Sequence, residues 1–185
     1  VESIYAHVPG LKVITPSTPA DAKGLLKSAI RDNDPVVFLE SEKMYGDKGE
    51  IPEGEYLIPI GVADTKRKGK EVTIVSFGIK VAHAAAEELA KEGIDCEIID
   101  LRTIRPIDYP AVVESIKKTN RCVVVEESWP LASISSEIAY HIQRYAFDYL
   151  DAPVMRVTQT DTPIPFSLPL VEAAVPTVDK VINAV

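Results

Sequence analysis

Ser28-Ala-Ile-Arg-Asp-Asn-Asp-Pro35 is the stretch whose residue types most directly suggest chemistry. A helix with an apolar face runs into it. A helix C-terminus leaves up to four carbonyls without intrahelical partners, at the negative end of its dipole. Such oxygens, with Asp32 and Asp34 beside them, suit a monovalent or hard divalent cation. The same letters are also a common way to end a helix, with Asp and Asn side chains bonding to backbone, and on the residues alone that reading takes precedence. A second set of polar residues follows apolar runs: Ser76-Phe-Gly78, Asp100-Leu-Arg-Thr-Ile-Arg-Pro106, Glu126-Glu-Ser-Trp-Pro130 and Thr160-Asp-Thr-Pro163. In open parallel sheets, ligands and partners meet the carboxyl ends of strands. Arg102, Arg105 and Glu127 there carry charges suited to ion pairs at a subunit interface, or to an ordinary solvated rim. Trp129, beside a proline, suits an interface anchor.

Other chemistries lack their residues. No Gly-x-Gly-x-x-Gly, Walker A loop or Gly-x-Ser-x-Gly elbow occurs. His7, His83 and His141 have no metal-ligand spacing and read as surface or interface histidines. Cys96 and Cys122 lie in apolar runs and read as small buried strand residues of a reducing compartment. With 185 residues and 46% hydrophobic composition, the chain can build a sizeable core. Its 20 Lys plus Arg against 28 Asp plus Glu give a net charge of −8. Nucleic acid is therefore not an expected partner, since displacing counterions needs basic clusters. An acidic surface instead favours a basic protein partner. No apolar run has the length of a membrane span and no signal peptide is visible, so no membrane partner is expected.

The elements that position these residues follow from pattern. Leu11–Pro16 is a short strand. Thr18-Pro-Ala-Asp21 has a capping hydroxyl, a proline at the first helical position and an acid near the positive dipole end, predicting a helix to about Arg31. Val36–Glu40 reads as a compact buried strand, and 41–56, rich in glycine and charge, as a long loop. From residue 71 strand and helix alternate: strands at 72–77, 96–101, 122–126 and 154–158, helices at 80–91, 108–119, 133–145 and from 178 on. That spacing predicts right-handed βαβ units, and the apolar strands a mostly parallel sheet with helices on both faces. The fold class is therefore α/β. The expected division is 1–57 as the latter part of a larger α/β domain, 58–70 as a linker, and 71–185 as a complete domain.

Together these runs resemble a known family. Asp21 to Glu40 (Asp-Ala-Lys-Gly-Leu-Leu-Lys-Ser-Ala-Ile-Arg-Asp-Asn-Asp-Pro-Val-Val-Phe-Leu-Glu), Met44-Tyr-Gly, Tyr56-Leu-Ile-Pro-Ile-Gly61, Glu97-Ile-Ile-Asp-Leu-Arg-Thr-Ile-Arg-Pro106 and Val125-Glu-Glu-Ser-Trp-Pro130 occur in order along nearly the whole chain. The pattern resembles the β subunits of pyruvate dehydrogenase E1 components, in the thiamine-dependent transketolase-like family. The resemblance implies a pyrimidine-binding domain remnant followed by a transketolase C-terminal-like domain. It implies decarboxylation of pyruvate on thiamine diphosphate and reductive acetylation of lipoyl groups on E2. The implied partners are an E1 α subunit, a second β subunit and the peripheral subunit-binding domain of E2, with diphosphate and Mg²⁺ held by α. The family's aminopyrimidine-activating glutamate and active-site histidine lie upstream of the pattern at residue 1. These residues alone are therefore expected to be inactive, serving assembly and E2 docking, and no catalytic or cofactor-binding residue is assigned. A structural K⁺ in some relatives maps to Ala29, Ile30, Asp32 and Asp34. Branched-chain 2-oxoacid and acetoin dehydrogenase β chains, or a purely non-catalytic assembly module, are the alternatives. The expected compartment is the bacterial cytoplasm, or the mitochondrial matrix in a eukaryote.

Overall fold

Five successive buried residues, Val72–Ser76, form β4 at the centre of a five-stranded sheet. The computed structural model describes residues 2–78 and 80–185. In the sheet, β4 pairs in parallel with β5 (Cys96–Asp100) on one side and with β7 (Cys122–Val125) on the other. Outside β7 lies β8 (Met155–Val157), also parallel. β4, β5 and β7 are short and apolar because both their faces are covered, so nothing selects for alternation, whereas β8 at the edge is exposed at Met155 and Arg156. On one face pack α3 (Val81–Lys91) and α7 (Val178–Ala184), around Ile74, Leu89, Ile98 and Val181. On the other pack α4 (Tyr109–Thr119) and α5 (Ile134–Tyr145), around Val75, Ile99, Ile116 and Ile138. Thr73 points to that second face and is satisfied there, its hydroxyl 2.6 Å from those of Ser115 and Thr119 on α4.

The predicted helix starts carry their caps. Thr18, Asp108, Ser133 and Thr177 each accept a first-turn N–H, and α2 (Pro19–Arg31) has proline in its first turn. A short α6 (Leu168–Ala174) and an N-terminal α1 (Glu2–Ala6) were not legible as periodic runs.

Two strands alter the expected layout. Residues 58–70 do not run free as a linker, because β3 (Asp64–Arg67) pairs antiparallel with β5 and forms the fifth strand. Its Asp-Thr-Lys-Arg sequence hid it, since edge strands carry charge to discourage further pairing. Just before it, the chain is strapped to both sides: Ser28 Oγ donates to the Ile58 carbonyl at 2.6 Å, and Ala63 N–H to Asp108 Oδ2 at 2.9 Å. The second is β6 (Thr103–Arg105), read from sequence as a strand-end loop. It pairs antiparallel with β1 (Lys12–Ile14), which pairs in parallel with β2 (Val36–Phe38). The sheet β2-β1-β6 thus takes strands from both expected domains. The edge position also leaves β2 half-buried along its length and not fully buried as expected.

The turn between β3 and β4 needs a glycine. A Cβ on Gly69 would lie 2.3 Å from the carbonyl carbon of Cys96, a backbone atom that cannot move aside. Gly69→Ala should therefore lower stability by ~2 kcal/mol or more, read as a lower urea midpoint. Gly46→Ala is the control, with nothing within 4 Å of its new methyl.

Candidate functional site

The carboxyl ends of β5, β4 and β7 meet at a switch point, because the chain leaves β4 to one side for β5 and crosses back to the other for β7. In this protein the turn between β1 and α2 covers that point. Gly78 N–H, at the end of β4, donates to Ser17 Oγ at 3.1 Å. Gly78 has φ +63°, and a Cβ there would fall 2.2 Å from Thr15 Oγ1. Only glycine lets the two segments approach so closely. Cavities remain on either side. One of about 230 Å³ lies among Thr18, Lys66, His83 and Asp100, and one of about 310 Å³ among Glu40, Phe77 and Glu127.

A buried ionic cluster locks the cover in place. Asp21, in the first turn of α2, is 3% exposed. Its Oδ2 is 2.6 Å from Lys66 Nζ on β3, and its Oδ1 accepts from Arg102 Nη1 at 3.1 Å. Lys66 also reaches Asp64 Oδ2 at 2.7 Å. Burial acts to raise the Asp21 carboxyl, but bonds from Lys66, Thr18 and Arg102 outweigh it and hold the group below its ordinary value. Burial likewise acts to lower Lys66, and its bonds to Asp21 and Asp64 leave it raised. Arg102 sits at φ +56°, unusual for a residue with a side chain, and Thr103 N–H turns back to the Leu101 carbonyl. That three-residue turn is held by Asp100 Oδ1, which accepts Arg102 N–H at 3.1 Å. The guanidinium also donates from Nε and Nη2 to the Val62 carbonyl, at 3.2 and 3.0 Å, and from Nη2 to the Ala63 carbonyl at 3.3 Å. Arg102 is therefore an internal tie, where the sequence suggested a subunit interface or a solvated rim.

Three carboxylates and two cations share this cluster, and among the described residues Asp100 makes no ion pair, although the charge of Lys66 reaches it. It is 2% exposed, and its Oδ2 has no hydrogen-bond partner among the described residues. Burial pushes its carboxyl up to about 6. Glu126, just past β7, is a counterpart. It is fully buried, with Oε1 accepting from Ser135 Oγ at 2.5 Å and Oε2 unpartnered among the described residues, and burial raises it. Both open polar strand-end segments that the sequence singles out, but neither was weighed individually there, although an acid closing an apolar run such as Cys-Glu-Ile-Ile-Asp was the available signal.

At the other end of α2 lie the predicted cation residues. Asp32 caps the helix with its N–H on the Ala29 carbonyl, 3.3 Å away. Both Asp32 carboxylate oxygens bond Lys12 Nζ, at 2.8 and 2.7 Å, and Asp34 Oδ2 lies 2.9 Å from the same ammonium. The bond from Lys12, then that from Asp34 N–H, holds Asp32 below its ordinary value. These carboxylates already have a cation. The carbonyls of Ile30, Asp32 and Asp34 accept no backbone bond among the described residues, and a cavity of about 390 Å³ opens beside Lys12, Arg31 and Asp32. No cluster of three or more His, Cys, Asp or Glu among the described residues is arranged to hold a metal. The donor set thus fits a monovalent ion held by main-chain oxygens and does not fit a divalent one.

The remaining candidates scatter. Glu127 pairs with Lys43 at 2.9 Å near the surface, and an Arg105 Nη1 proton goes to the Ala6 carbonyl. Trp129 is 39% exposed, with Nε1 donating to the Thr162 carbonyl at 2.7 Å. His141 stacks on Tyr109 with ring centroids 3.7 Å apart. Cys96 and Cys122 are buried free thiols, raised by that burial to about 11 and about 12, and so inert.

Comparison with known proteins adds the family. Residues 61–181 match the transketolase C-terminal domain, and residues 1–48 match the transketolase pyrimidine binding domain. The β subunit of the pyruvate dehydrogenase E1 component of Rhizobium meliloti is 53% identical over 184 residues, 98% of this chain and 40% of that protein. The mitochondrial counterpart of Dictyostelium discoideum is 50% identical, across 97% of this chain and 52% of that protein. The acetoin:2,6-dichlorophenolindophenol oxidoreductase β subunit of Cupriavidus necator is 48% identical, across 98% of this chain and 54% of that protein. The chain thus spans about half the length of these curated relatives. A split gene transketolase, solved as an inactive β4 tetramer, shares the fold with a TM-score of 0.78 at 24% identity, over 99% of this chain and 58% of that one.

Asp100 yields a pH test. Its pKa in the folded chain is raised, so folding is favoured by its proton: that contribution is complete below about 3.8 and is lost as pH rises through about 6. Asp100→Asn should therefore be more stable to unfolding than the parent at pH 8 by ~1–3 kcal/mol, since each pKa unit is worth about 1.4 kcal/mol. The difference should vanish near pH 4. An equal difference at both pH values would show that ionisation is not the cause.

Proposed function

Because the chain belongs to the transketolase C-terminal domain family, we propose that it serves as the β subunit of a pyruvate dehydrogenase E1 component. The observation that carries this reading is the 53% identity over 184 residues, which runs through both matched domain segments. In this reading the enzyme decarboxylates pyruvate and passes the acetyl group reductively to lipoyl groups on E2. Bound thiamine diphosphate supplies the electron sink that decarboxylation requires. Diphosphate and Mg²⁺ are assigned to the α partner, and no step of the chemistry is assigned to a side chain described here. This chain's part is architectural: Asp21, Lys66 and Arg102 hold the pyrimidine-domain segment, assigned to residues 1–57, against the C-terminal domain. The strand β3 within 58–70 goes with that second domain.

The partners in this reading are an E1 α subunit, a second β subunit and a basic E2 peripheral subunit-binding domain, to which a net charge of −8 is complementary. A structural K⁺ is assigned to the main-chain oxygens of Ala29, Ile30, Asp32 and Asp34, with Lys12 compensating the two carboxylates. Among the described residues no helix is long and apolar enough to cross a membrane. The compartment we propose is the bacterial cytoplasm.

The 48% identity to an acetoin-oxidising β subunit makes acetoin the competing substrate. The full-length protein, combined with its α subunit, thiamine diphosphate and Mg²⁺, should turn over pyruvate with kcat/KM above that for acetoin or branched-chain 2-oxoacids by about tenfold or more, a margin of ~1.4 kcal/mol. Preference for acetoin would overturn the pyruvate assignment. For the cation, the melting temperature of the full-length protein should rise with added K⁺ and not with choline at equal ionic strength. Identical melting in both salts would remove the K⁺ site.

A further inference from the structure

Beside the seam lies the cavity of about 230 Å³ whose wall includes Asp100. That acid is 2% exposed, and its Oδ2 is unpartnered among the described residues. The first turn of α3 gives Lys80 and His83 to the same wall. Lys80, the cap residue, makes no side-chain bond to the helix, so no side chain closes off the positive end of this 11-residue dipole. Ser76 and Ile98 complete the space on the sheet side. The entrance is open, since His83 is exposed and the Lys80 side chain is 50% exposed. The volume equals about seven waters at ~30 Å³ each and falls below the ~300–1,000 Å³ of drug-sized pockets. It therefore fits a molecule of a few heavy atoms.

We propose that this cavity binds a short-chain monocarboxylate, paired with the Asp100 carboxyl through one shared proton. The free oxygen of a buried acid is satisfied by a cation, by a neutral donor or by a group that shares its proton. The surrounding charges disfavour a further cation. Lys66 on β3 and Arg102 after β5 already bring positive charge there, tied to Asp21 on α2 and to Asp64 on β3. Lys80 on α3 pairs with Asp47 at the entrance. His83 is lowered, first by its burial and then by Lys66, and so is neutral at pH 7. The helix terminus favours an anion over a neutral molecule. An anion can rest against Asp100 only while that carboxyl keeps its proton, and burial, which raises the group to about 6, makes the protonated form accessible near neutral pH. Two carboxyl groups held together share a proton for the same reason, because both cannot be ionised. Asp100 Oδ1 meanwhile keeps the Arg102 N–H at 3.1 Å, so binding leaves the turn after β5 intact. The carbon chain of the ligand has Ile98 to lie on. The inference does not depend on the β-subunit reading.

Titration calorimetry of the full-length protein with acetate, without α subunit or thiamine diphosphate, tests this. Acetate should bind in the millimolar range at pH 6, as a ligand of so few atoms can, and chloride at equal ionic strength should not. Affinity should fall about tenfold or more between pH 6 and pH 8, because ionised Asp100 must first take up a proton. At pH 8, heats in two buffers of different ionisation enthalpy should show uptake of about one proton per acetate bound. Asp100→Asn separates this from a general anion effect. Its amide keeps an oxygen for Arg102 and offers N–H to the carboxylate, so binding should persist while the pH dependence and proton uptake disappear. A parent that binds no acetate at pH 6 would overturn the proposal and leave the cavity to water. An Asp100→Asn variant that keeps the parent's pH dependence would overturn it too, by moving the titration to His83. Pyruvate turnover by the assembled enzyme is measured separately, so failure here spares the β-subunit reading.

Discussion

Asp21 is a buried carboxylate that meets its cations only if the segments before and after residue 57 are together. An unpaired charge at that depth costs several kcal/mol, so the contact makes the placement of α2, β3 and the β5–β6 turn a single choice. Arg102 joins these consequences. Its left-handed backbone reverses the chain after β5, which delivers β6 to β1, while its side chain returns to Asp21 and to the carbonyls of Val62 and Ala63. Strain of this kind persists where the surroundings over-determine it, and here four hydrogen-bond acceptors do so.

With the seam closed, the carboxyl edge of the parallel sheet has two characters. At the switch point it is covered by the chain's own Thr15–Thr18 turn, and the buried acids Asp100 and Glu126 flank that cover, each with one oxygen unpartnered among the described residues. Farther along the same edge, beyond β7 and β8, nothing of the described chain covers Leu131, Phe166 and Leu168. The first region holds the two domain segments in register. The second is open to solvent in the described chain.

Much of the layout was legible from local pattern. The caps at Thr18, Asp108 and Thr177 and the apolar runs of β4, β5 and β7 lie where periodicity and capping chemistry put them, and Ser133, read as the first helical residue, is the cap of α5. These features report on neighbours within a few residues. At β3 and β6 the same reasoning failed, because an edge strand of Asp-Thr-Lys-Arg and a three-residue strand of Thr-Ile-Arg carry no run long enough to show a period. The helix end at Ala29–Asp34 was legible as a source of main-chain oxygens, but not the ammonium of Lys12 that occupies its carboxylates from another strand.

The sequence by itself determined the α/β class, the order of the regular elements and the family, since propensity, capping and an ordered set of motifs are all written along the chain. Tertiary structure alone decided that Arg102 turns inward to Asp21, that β6 crosses to β1, and that Asp100 loses its water without gaining a cation. Each of those joins residues tens of positions apart, and the energy of a charge depends on what surrounds it in space and not on what precedes it in the chain.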